Sequence, residues 1–158
     1  MASVIFVCTA NRYRSPIAAA CFNDELRKRH PGENWIVLSA GTWTVDDLAP
    51  MPEAIQTAKN IGIDIREHRS RAITPELLEG ADLILTMEQG QKEALQNEFR
   101  SASRKIFLFT EVAGEKPYDI PDPMKDPTHT DVAALICDLI RTGFDKICAA
   151  ALAGRHKT

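Results

Sequence analysis

A cysteine and an arginine stand six positions apart near the start of the chain, in the stretch VIFVCTANRYRSP. Cys8 follows an apolar, β-branched run, and Arg14 directly precedes Ser15 and Pro16. A serine followed by a proline favours the N-terminus of a helix, with Ser15 as the N-cap residue and Pro16 at the first helical position. The stretch therefore predicts a strand that ends at Cys8, a loop over residues 9–14, and a helix.

A loop between a strand and a helix N-terminus favours anion binding. Its successive backbone N–H groups surround one hollow, and the helix dipole adds positive potential there. In that potential a cysteine is favoured as the thiolate, which is the nucleophilic form. Arg14 supplies a charged fork that fits two oxygens of a phosphoryl group. We therefore expect Cys8 to form a cysteinyl phosphate while Arg14 holds the phosphoryl oxygens.

The same spacing recurs at Cys21 and Arg27, so spacing alone is weak evidence. These two residues fall inside the predicted helix, where six residues correspond to about 240° of rotation and about 9 Å of rise. Their side chains therefore diverge. A buried cysteine beside a surface arginine would be the ordinary interpretation of Cys8 and Arg14 as well, but the strand, cap and proline favour chemistry there. We expect the other three cysteines, Cys21, Cys137 and Cys148, to be small apolar core residues.

Strands alternate with helices along the chain. Apolar and β-branched runs predict strands at residues 3–8, 35–40, 82–87 and 105–110, and helical periodicity predicts helices at 16–29, 52–61, 75–79, 88–99 and from Asp131 to about Ala151. This alternation predicts an α/β fold with a parallel sheet that is covered by helices on both faces.

Length and composition indicate one globular domain over residues 1–158. The chain has a mass of 17.5 kDa, 44% hydrophobic residues and a formal net charge of −3, which gives no reason to expect nucleic acid or a membrane as a partner. The first residues, MASVIFVC, carry no basic leader, and their apolar run is too short for a signal peptide or a membrane span. We expect a cytoplasmic protein.

The longest irregular segment, residues 111–130, contains the candidates for a general acid, which the leaving oxygen needs as its bond to phosphorus breaks. Loops of this length in compact domains are functional or disordered. The candidates are Asp119, Asp122 and Asp126. Because both Asp122 and Asp126 precede a proline, the residues alone do not choose between them.

Further motifs follow in a fixed order: SAGT at 39–42, GIDIREHRSR at 62–71, ADLILTME at 81–88 and IPDP at 120–123. Together with VCTANRYRSP, they resemble the low-molecular-weight protein tyrosine phosphatases, a family that includes bacterial arginine phosphatases and thioredoxin-linked arsenate reductases. The resemblance implies a flavodoxin-like three-layer sandwich with a four-stranded parallel sheet in the order 2-1-3-4. A phosphate loop would follow the first strand, at the ligand-binding edge of such sheets.

The resemblance also implies roles for individual residues. Cys8 would be the nucleophile, Arg14 the transition-state clamp and Asp122 the general acid, since IPDP matches the family motif. Ser15 would hydrogen-bond the thiolate, while Asn11 and His68 would hold the loop. The phosphate-binding residues would be Thr9, Ala10, Asn11, Arg12, Tyr13 and Arg14.

Three positions depart from the family pattern. Tyr13 stands where many members have a second cysteine, so oxidised Cys8 would lack a neighbouring thiol to protect it from over-oxidation. Arg12 matches neither the aliphatic residue of tyrosine phosphatases nor the threonine of arginine phosphatases, and it either attracts anionic substrates or points to solvent. Met124 replaces an aromatic wall of the cleft, and Trp43 either supplies the other wall or lies in the core.

We expect a protein tyrosine phosphatase that acts on phosphorylated proteins or small phosphomonoesters, with no metal or other cofactor. A thioredoxin-linked arsenate reductase, a protein-arginine phosphatase and a non-catalytic phosphate-binding module remain alternatives. The expected oligomeric state is a monomer or a weak homodimer.

Overall fold

The computed structural model describes residues 1–128 and 131–155 of the chain. Its sheet contains the strands β1 (Ala2–Cys8), β2 (Trp35–Gly41), β3 (Leu83–Thr86) and β4 (Ile106–Leu108). All strand pairs are parallel, and the order is β2-β1-β3-β4, which confirms the prediction. Strand β1 lies in the interior of the sheet and every one of its residues is buried. Its last residue, Cys8, therefore lies at the carboxyl edge of the sheet, paired with Gly41 of β2.

Six helices accompany the sheet in the described residues: α1 (Arg14–Arg29), α2 (Pro52–Asn60), α3 (Pro75–Gly80), α4 (Gln89–Glu98), α5 (Phe109–Ala113) and α6 (Val132–Arg155), with a 3₁₀ helix at Arg100–Lys105. Alternate residues of β1 face opposite sides. Phe6 packs in one apolar cluster with Phe22 of α1 and with α6, whereas Ile5 packs in a second with Leu78 of α3 and Leu95 of α4. The fold is thus a three-layer, flavodoxin-like sandwich.

Two predicted boundaries were wrong. Helix α1 begins at Arg14, and Tyr13 is the N-cap residue without a side-chain capping bond. Ser15 lies in the first turn, where its hydroxyl group bonds to Cys8 instead of capping the helix. Strand β4 ends at Leu108, where the backbone N–H donates to the Glu111 carboxylate at 2.8 Å and α5 begins. The apolar run KIFLFT does not itself distinguish a strand from a buried helix start.

The cysteine prediction was wrong for two residues. Cys21 of α1 and Cys137 of α6 form a disulfide, with their Cα atoms 5.7 Å apart. The two helices pack against each other, and both cysteines are buried between them. Cys148 is half-buried with a free thiol. The pairing depends on a contact across 116 residues, which no local sequence pattern reports.

Among the described helices, none combines the length and the apolar character that crossing a bilayer requires.

Candidate active site

The loop over residues 9–13 connects the end of β1 to the start of α1. Its carbonyl groups accept bonds from the neighbouring segment: Thr9 O from Trp43 N at 2.9 Å, and Arg12 O from Met51 N at 2.9 Å. The backbone N–H groups of residues 10–13 donate to no acceptor within residues 1–128 and 131–155. A loop with anchored carbonyls and unused N–H donors is an anion-binding loop.

Gly41 allows the loop to approach strand β2. A Cβ atom at this position would lie 2.6 Å from Thr9 O and 2.8 Å from a Thr44 methyl carbon. Both distances are shorter than atomic contact permits. The glycine of the SAGT motif therefore makes room for the first residue of the loop.

Cys8 is buried at the start of the loop, with its Sγ atom 2.9 Å from Ser15 Oγ. Asn11 Nδ2 donates to the same Ser15 oxygen at 2.8 Å. Since that bond uses Ser15 as an acceptor, the serine hydroxyl proton is free to point at the sulfur. A charge-assisted hydrogen bond of this kind stabilises a thiolate.

Asn11 adopts a left-handed backbone conformation, with φ of 58°. Its Nδ2 also donates to Ser39 Oγ at 2.9 Å, and its Oδ1 accepts from Arg71 N at 2.8 Å. Its backbone oxygen lies 2.7 Å from His68 Nε2. Asparagine tolerates this region better than most residues, and these bonds hold it there. They fix the path of the loop in the middle of its span.

Burial lowers the pKa of His68 below its ordinary value of 6.5. The hydrogen bond to Asn11 opposes this shift, whereas the charges of Arg71 and Arg69 add to it. A histidine with a lowered pKa is neutral at pH 7. Its Nε2–H then donates to Asn11 O in the tautomer that places the proton on Nε2.

Arg14 is 2% exposed and its guanidinium group is held by three partners. Nη1 lies 2.7 Å from the Glu88 carboxylate and donates to Ile120 O at 2.8 Å, and Nη2 lies 3.6 Å from the Asp122 carboxylate. The buried charge is therefore compensated and its orientation is fixed. Sequence reasoning missed Glu88, although it is the last residue of the quoted motif ADLILTME.

Gln91 links helix α4 to the loop. Its Nε2 donates to Thr9 Oγ1 at 3.0 Å and to Glu88 Oε2 at 3.2 Å, while its Oε1 accepts from Glu88 N at 3.0 Å. Gln91 and Ser39 were also missed from sequence. Ser39 lies in the SAGT motif, but Gln91 lies outside every quoted motif, and the only signal for it is its position three residues after Glu88.

The three aspartates of the long segment lie in different surroundings. Asp122 faces Arg14 and accepts from Met124 N at 3.0 Å. Asp119 accepts from Gln89 N at the start of α4, and Asp126 accepts from Thr128 N. The structure thus brings Asp122 to the arginine that borders the loop.

The residues expected at the rim of the substrate cleft, Arg12, Trp43 and Met124, differ in their surroundings. Trp43 is 83% exposed and Met124 is 50% exposed, so Trp43 is not a core tryptophan. The Arg12 Nε donates to Ala49 O at 2.7 Å, which directs part of the guanidinium group along the 44–50 segment. Tyr13 is buried, with its hydroxyl oxygen 3.2 Å from Thr57 Oγ1. Its side chain therefore packs into the core beside α2.

Comparison with known proteins places these features in a family. Residues 3–156 match the family model described as "Low molecular weight phosphotyrosine protein phosphatase". The chain is 33% identical over 143 residues to a probable low molecular weight protein-tyrosine-phosphatase, EpsP, of Ralstonia nicotianae, which covers 90% of this chain and 91% of the relative.

Two solved structures show the same architecture. A low molecular weight protein tyrosine phosphatase from T. tengcongensis superimposes with a TM-score of 0.80 at 32% identity, covering 94% of this chain and 99% of the other. The YwlE arginine phosphatase, in a mutant form with a phosphorylated active-site serine, gives a TM-score of 0.81 at 29% identity over 89% of this chain and 91% of its own.

Proposed function

Since the chain belongs to the low molecular weight phosphotyrosine protein phosphatase family, we propose that it hydrolyses phosphotyrosine through a phosphoryl group carried on Cys8. The observation that carries the proposal is the loop itself, in which unused N–H donors of residues 10–13 follow a buried cysteine that is 2.9 Å from a serine hydroxyl. This arrangement supplies a nucleophile and an oxyanion site together.

In the first step the Cys8 thiolate attacks phosphorus in line with the bond to the phenolic oxygen. A sulfur–phosphorus bond forms as the phosphorus–oxygen bond breaks. Arg14 and the loop N–H groups stabilise the charge on the three equatorial oxygens. Asp122 gives its proton to the departing phenolic oxygen, so that tyrosine leaves as the neutral phenol.

In the second step a water molecule attacks the phosphoryl group on Cys8. Asp122, now a carboxylate, takes a proton from that water. The sulfur–phosphorus bond breaks, and inorganic phosphate and the Cys8 thiolate are released. Ser15 stabilises the thiolate as it leaves, through the contact at 2.9 Å.

Two positioning roles follow from the contacts of the loop. Asn11, supported by Ser39 and His68, keeps the N–H groups directed at one point. Glu88 fixes the Arg14 guanidinium group from the side of α4. The side chains of Asn11 and Glu88 act through other residues and do not touch the substrate.

The proposal is tested with para-nitrophenyl phosphate and the Cys8→Ser variant. We expect the full chain to hydrolyse this substrate and the variant to lose turnover. Cys148→Ser is the matched control, because it removes a thiol far along the chain and should retain the wild-type rate. Unchanged turnover in Cys8→Ser would refute the role of Cys8.

The substrate preference is proposed from the rim. Trp43 offers an exposed aromatic surface for a phenyl ring. Arg12 adds a cation that repels the positively charged guanidinium part of a phosphoarginine side chain. With peptides of matched sequence, phosphotyrosine should give a higher kcat/KM than phosphoarginine or phosphoserine. The Arg12→Thr variant should reduce the difference in kcat/KM between phosphotyrosine and phosphoarginine. A higher kcat/KM for phosphoarginine in the wild-type chain would instead favour a protein-arginine phosphatase.

Arsenate reduction is disfavoured by the other cysteines. That reaction needs thiols that resolve an adduct on the nucleophile by disulfide exchange. Cys21 and Cys137 are buried between α1 and α6, whether or not they are joined to each other, so neither thiol is accessible for this exchange. Burial, with Asp145 and Glu33, raises the pKa of the Cys148 thiol to about 11, so it is protonated at pH 7. A thioredoxin-coupled arsenate assay should therefore show no turnover.

We further propose that residues 1–158 act as one cytoplasmic domain, as a monomer or weak homodimer. Light scattering after size-exclusion chromatography tests the oligomeric state. Because disulfides are rare in the reducing cytosol, the pair Cys21–Cys137 offers a test of location. A reduced pair in protein taken directly from cells under thiol-blocking conditions supports the cytoplasm, and an oxidised pair contradicts it.

A further inference from the structure

A cleft of about 290 Å³ lies between helix α1, strand β2 and the segment 64–71. Its lining contains none of residues 8–14, so it is separate from the hollow of the loop. Apolar side chains from three elements line part of it, among them Pro16, Ala20, Leu38 and Ile65. Its size is near the lower end of small-molecule sites, and it fits a compact ligand of roughly 10–15 non-hydrogen atoms.

The cleft shares its lining with the support of Asn11. Ser39, His68 and Arg71 all line the cleft. These same residues make the contacts to Asn11 Nδ2, the Asn11 backbone oxygen and Asn11 Oδ1. Asn11 is held in a left-handed conformation by these bonds. A molecule in the cleft would therefore contact the groups that hold the loop, without contacting the loop.

The charged groups around the cleft favour an anion. Arg69 and Arg71 line it together with Asp64 and Glu67. Asp64 is already paired with Arg66 at 2.9 Å, and the Arg69 guanidinium group donates to the backbone oxygens of Arg66 and His68.

Arg71 is different from these neighbours. Its guanidinium group forms no hydrogen bond or ion pair with any residue in the described part of the chain, and the residue is exposed. Arg66 compensates the charge of Asp64. The charged groups that remain in the lining are Glu67, Arg69 and Arg71, which sum to one positive charge. Arg71 is therefore the group that a ligand carboxylate would meet.

We propose that this cleft binds a small aromatic monocarboxylate, with the ring against the apolar lining and the carboxylate on Arg71, and that its occupancy is coupled to anion binding in the catalytic loop. The coupling is reciprocal, so a ligand in the cleft and an anion in the loop change each other's affinity by the same factor. An effect of the ligand on turnover rests on the proposed phosphatase function, whereas the binding site itself does not.

The test uses isotopically labelled full-length protein and titrates indole-3-acetate, phenylacetate and the neutral analogue indole-3-acetamide. Amide signals of Ala20, Leu38 and Asn11 are followed by NMR. We expect saturable shifts at all three positions with a carboxylate, and binding at least about tenfold weaker for the amide. No saturable shift with either carboxylate overturns the site, and equal affinity for the amide overturns the role assigned to Arg71.

Inorganic phosphate separates the cleft from the catalytic loop. At two coupled sites the apparent Kd for indole-3-acetate reaches a plateau as phosphate is raised. If the carboxylate binds in the loop instead, its apparent Kd rises in proportion to phosphate without limit, which overturns the proposal. An apparent Kd that does not change with phosphate overturns the coupling.

Variants that fill the cleft test its position, and a substitution on an exposed helix face provides the matched control. Ala20→Leu and, at another point of the lining, Asn23→Leu should each abolish the shifts while para-nitrophenyl phosphate hydrolysis persists. Ala149→Leu, on the exposed face of α6, should leave both properties unchanged. Undiminished binding in the two filling variants would overturn the assignment. Failure of hydrolysis in the wild-type chain, with binding intact, would count only against the phosphatase function.

Discussion

Asn11 shows how a single residue in a rare backbone conformation organises the site. A φ of 58° costs free energy in a residue other than glycine. The hydrogen bonds of Asn11 with Ser39, His68 and Arg71 compensate for that cost. The result is a loop whose carbonyl groups at residues 9, 11 and 12 accept bonds from neighbouring segments, while its N–H groups stay available for an anion.

The acid role proposed for Asp122 leads to a prediction about leaving groups. Asp122→Ala should slow hydrolysis of phenyl phosphate by about 10²–10⁴-fold, because the phenol oxygen needs a proton. It should slow para-nitrophenyl phosphate much less, because that oxygen leaves readily as an anion. Steady-state kcat/KM values for the two substrates measure the difference, because kcat/KM reports the first step and the second step is common to both substrates.

Asp126→Ala is the matched control for this measurement, since Asp126 also precedes a proline and bonds to Thr128. It should slow neither substrate selectively. If Asp126→Ala shows the leaving-group signature and Asp122→Ala does not, the assignment of the acid is wrong.

The lowered pKa of His68 predicts a pH dependence of stability. In the unfolded chain this histidine gains a proton as the pH falls through 6.5, but in the folded chain it does so only at lower pH. The unfolded state therefore binds more protons in that interval, and the free energy of unfolding falls as the pH decreases below about 6.5. Above that pH the contribution of His68 is complete.

Urea unfolding of the wild-type chain and of His68→Gln across this interval measures the effect. The variant keeps a donor for Asn11 O but does not titrate, so its stability should decline less steeply with falling pH. Equal slopes for the two proteins would contradict the assignment of the proton to His68.

At the scale of the elements, the site is assembled where β1 and β2 end and where α1 and α4 begin. Gly41 is the point of closest approach between β2 and the loop. Gly41→Ala should displace Thr9, and a misplacement of about 1 Å lowers turnover by about 10²-fold. The kcat for para-nitrophenyl phosphate measures this loss.

Gly32→Ala is the control for Gly41→Ala, because a Cβ atom at residue 32 meets no atom within 4 Å. Its activity should match the wild type. A Gly41→Ala variant with full activity would show that the loop tolerates displacement at this contact.

Sequence patterns predicted the elements where local information is strong. Apolar and β-branched runs predicted β1 to β3, and helical periodicity predicted α1 and α6. The start of α5 was missed because Phe109 and Thr110 would be buried in a strand as well as in a helix. Burial at these positions therefore does not distinguish the two. The deciding contact is the bond from Leu108 N to Glu111.

The candidate site was predicted to the extent that its residues lie in contiguous motifs. Cys8, Arg14 and Ser15 share one stretch, and the expected partners Asn11 and His68 are in contact in the structure. Glu88 and Gln91 were missed because their roles depend on where α4 points relative to the loop. A single sequence contains no direct record of that packing.

At the scale of the whole molecule, the disulfide between Cys21 and Cys137 connects helix α1, which follows the loop, to the last helix. A cross-link over a long segment restricts the unfolded chain, so its reduction should lower the free energy of unfolding by about 2–4 kcal/mol. Urea unfolding with and without dithiothreitol measures the change.

Cys148→Ser should show the same difference between oxidised and reduced protein, because Cys148 is not part of the cross-link. The double variant Cys21→Ala/Cys137→Ala should show none. Identical unfolding midpoints for oxidised and reduced wild-type protein would contradict a stabilising role for this disulfide.

The proposed reaction depends on the sheet, the loop and helix α1 together. In the proposed mechanism the loop holds a phosphoryl group that resides for part of each cycle on the sulfur atom of Cys8. The most direct measurement is rapid acid quenching during hydrolysis of para-nitrophenyl phosphate, followed by peptide mass spectrometry of wild-type protein and of Asp122→Ala. The account predicts a phosphoryl group on Cys8 in both proteins, whereas sustained turnover with no phosphoryl group on Cys8 would contradict it.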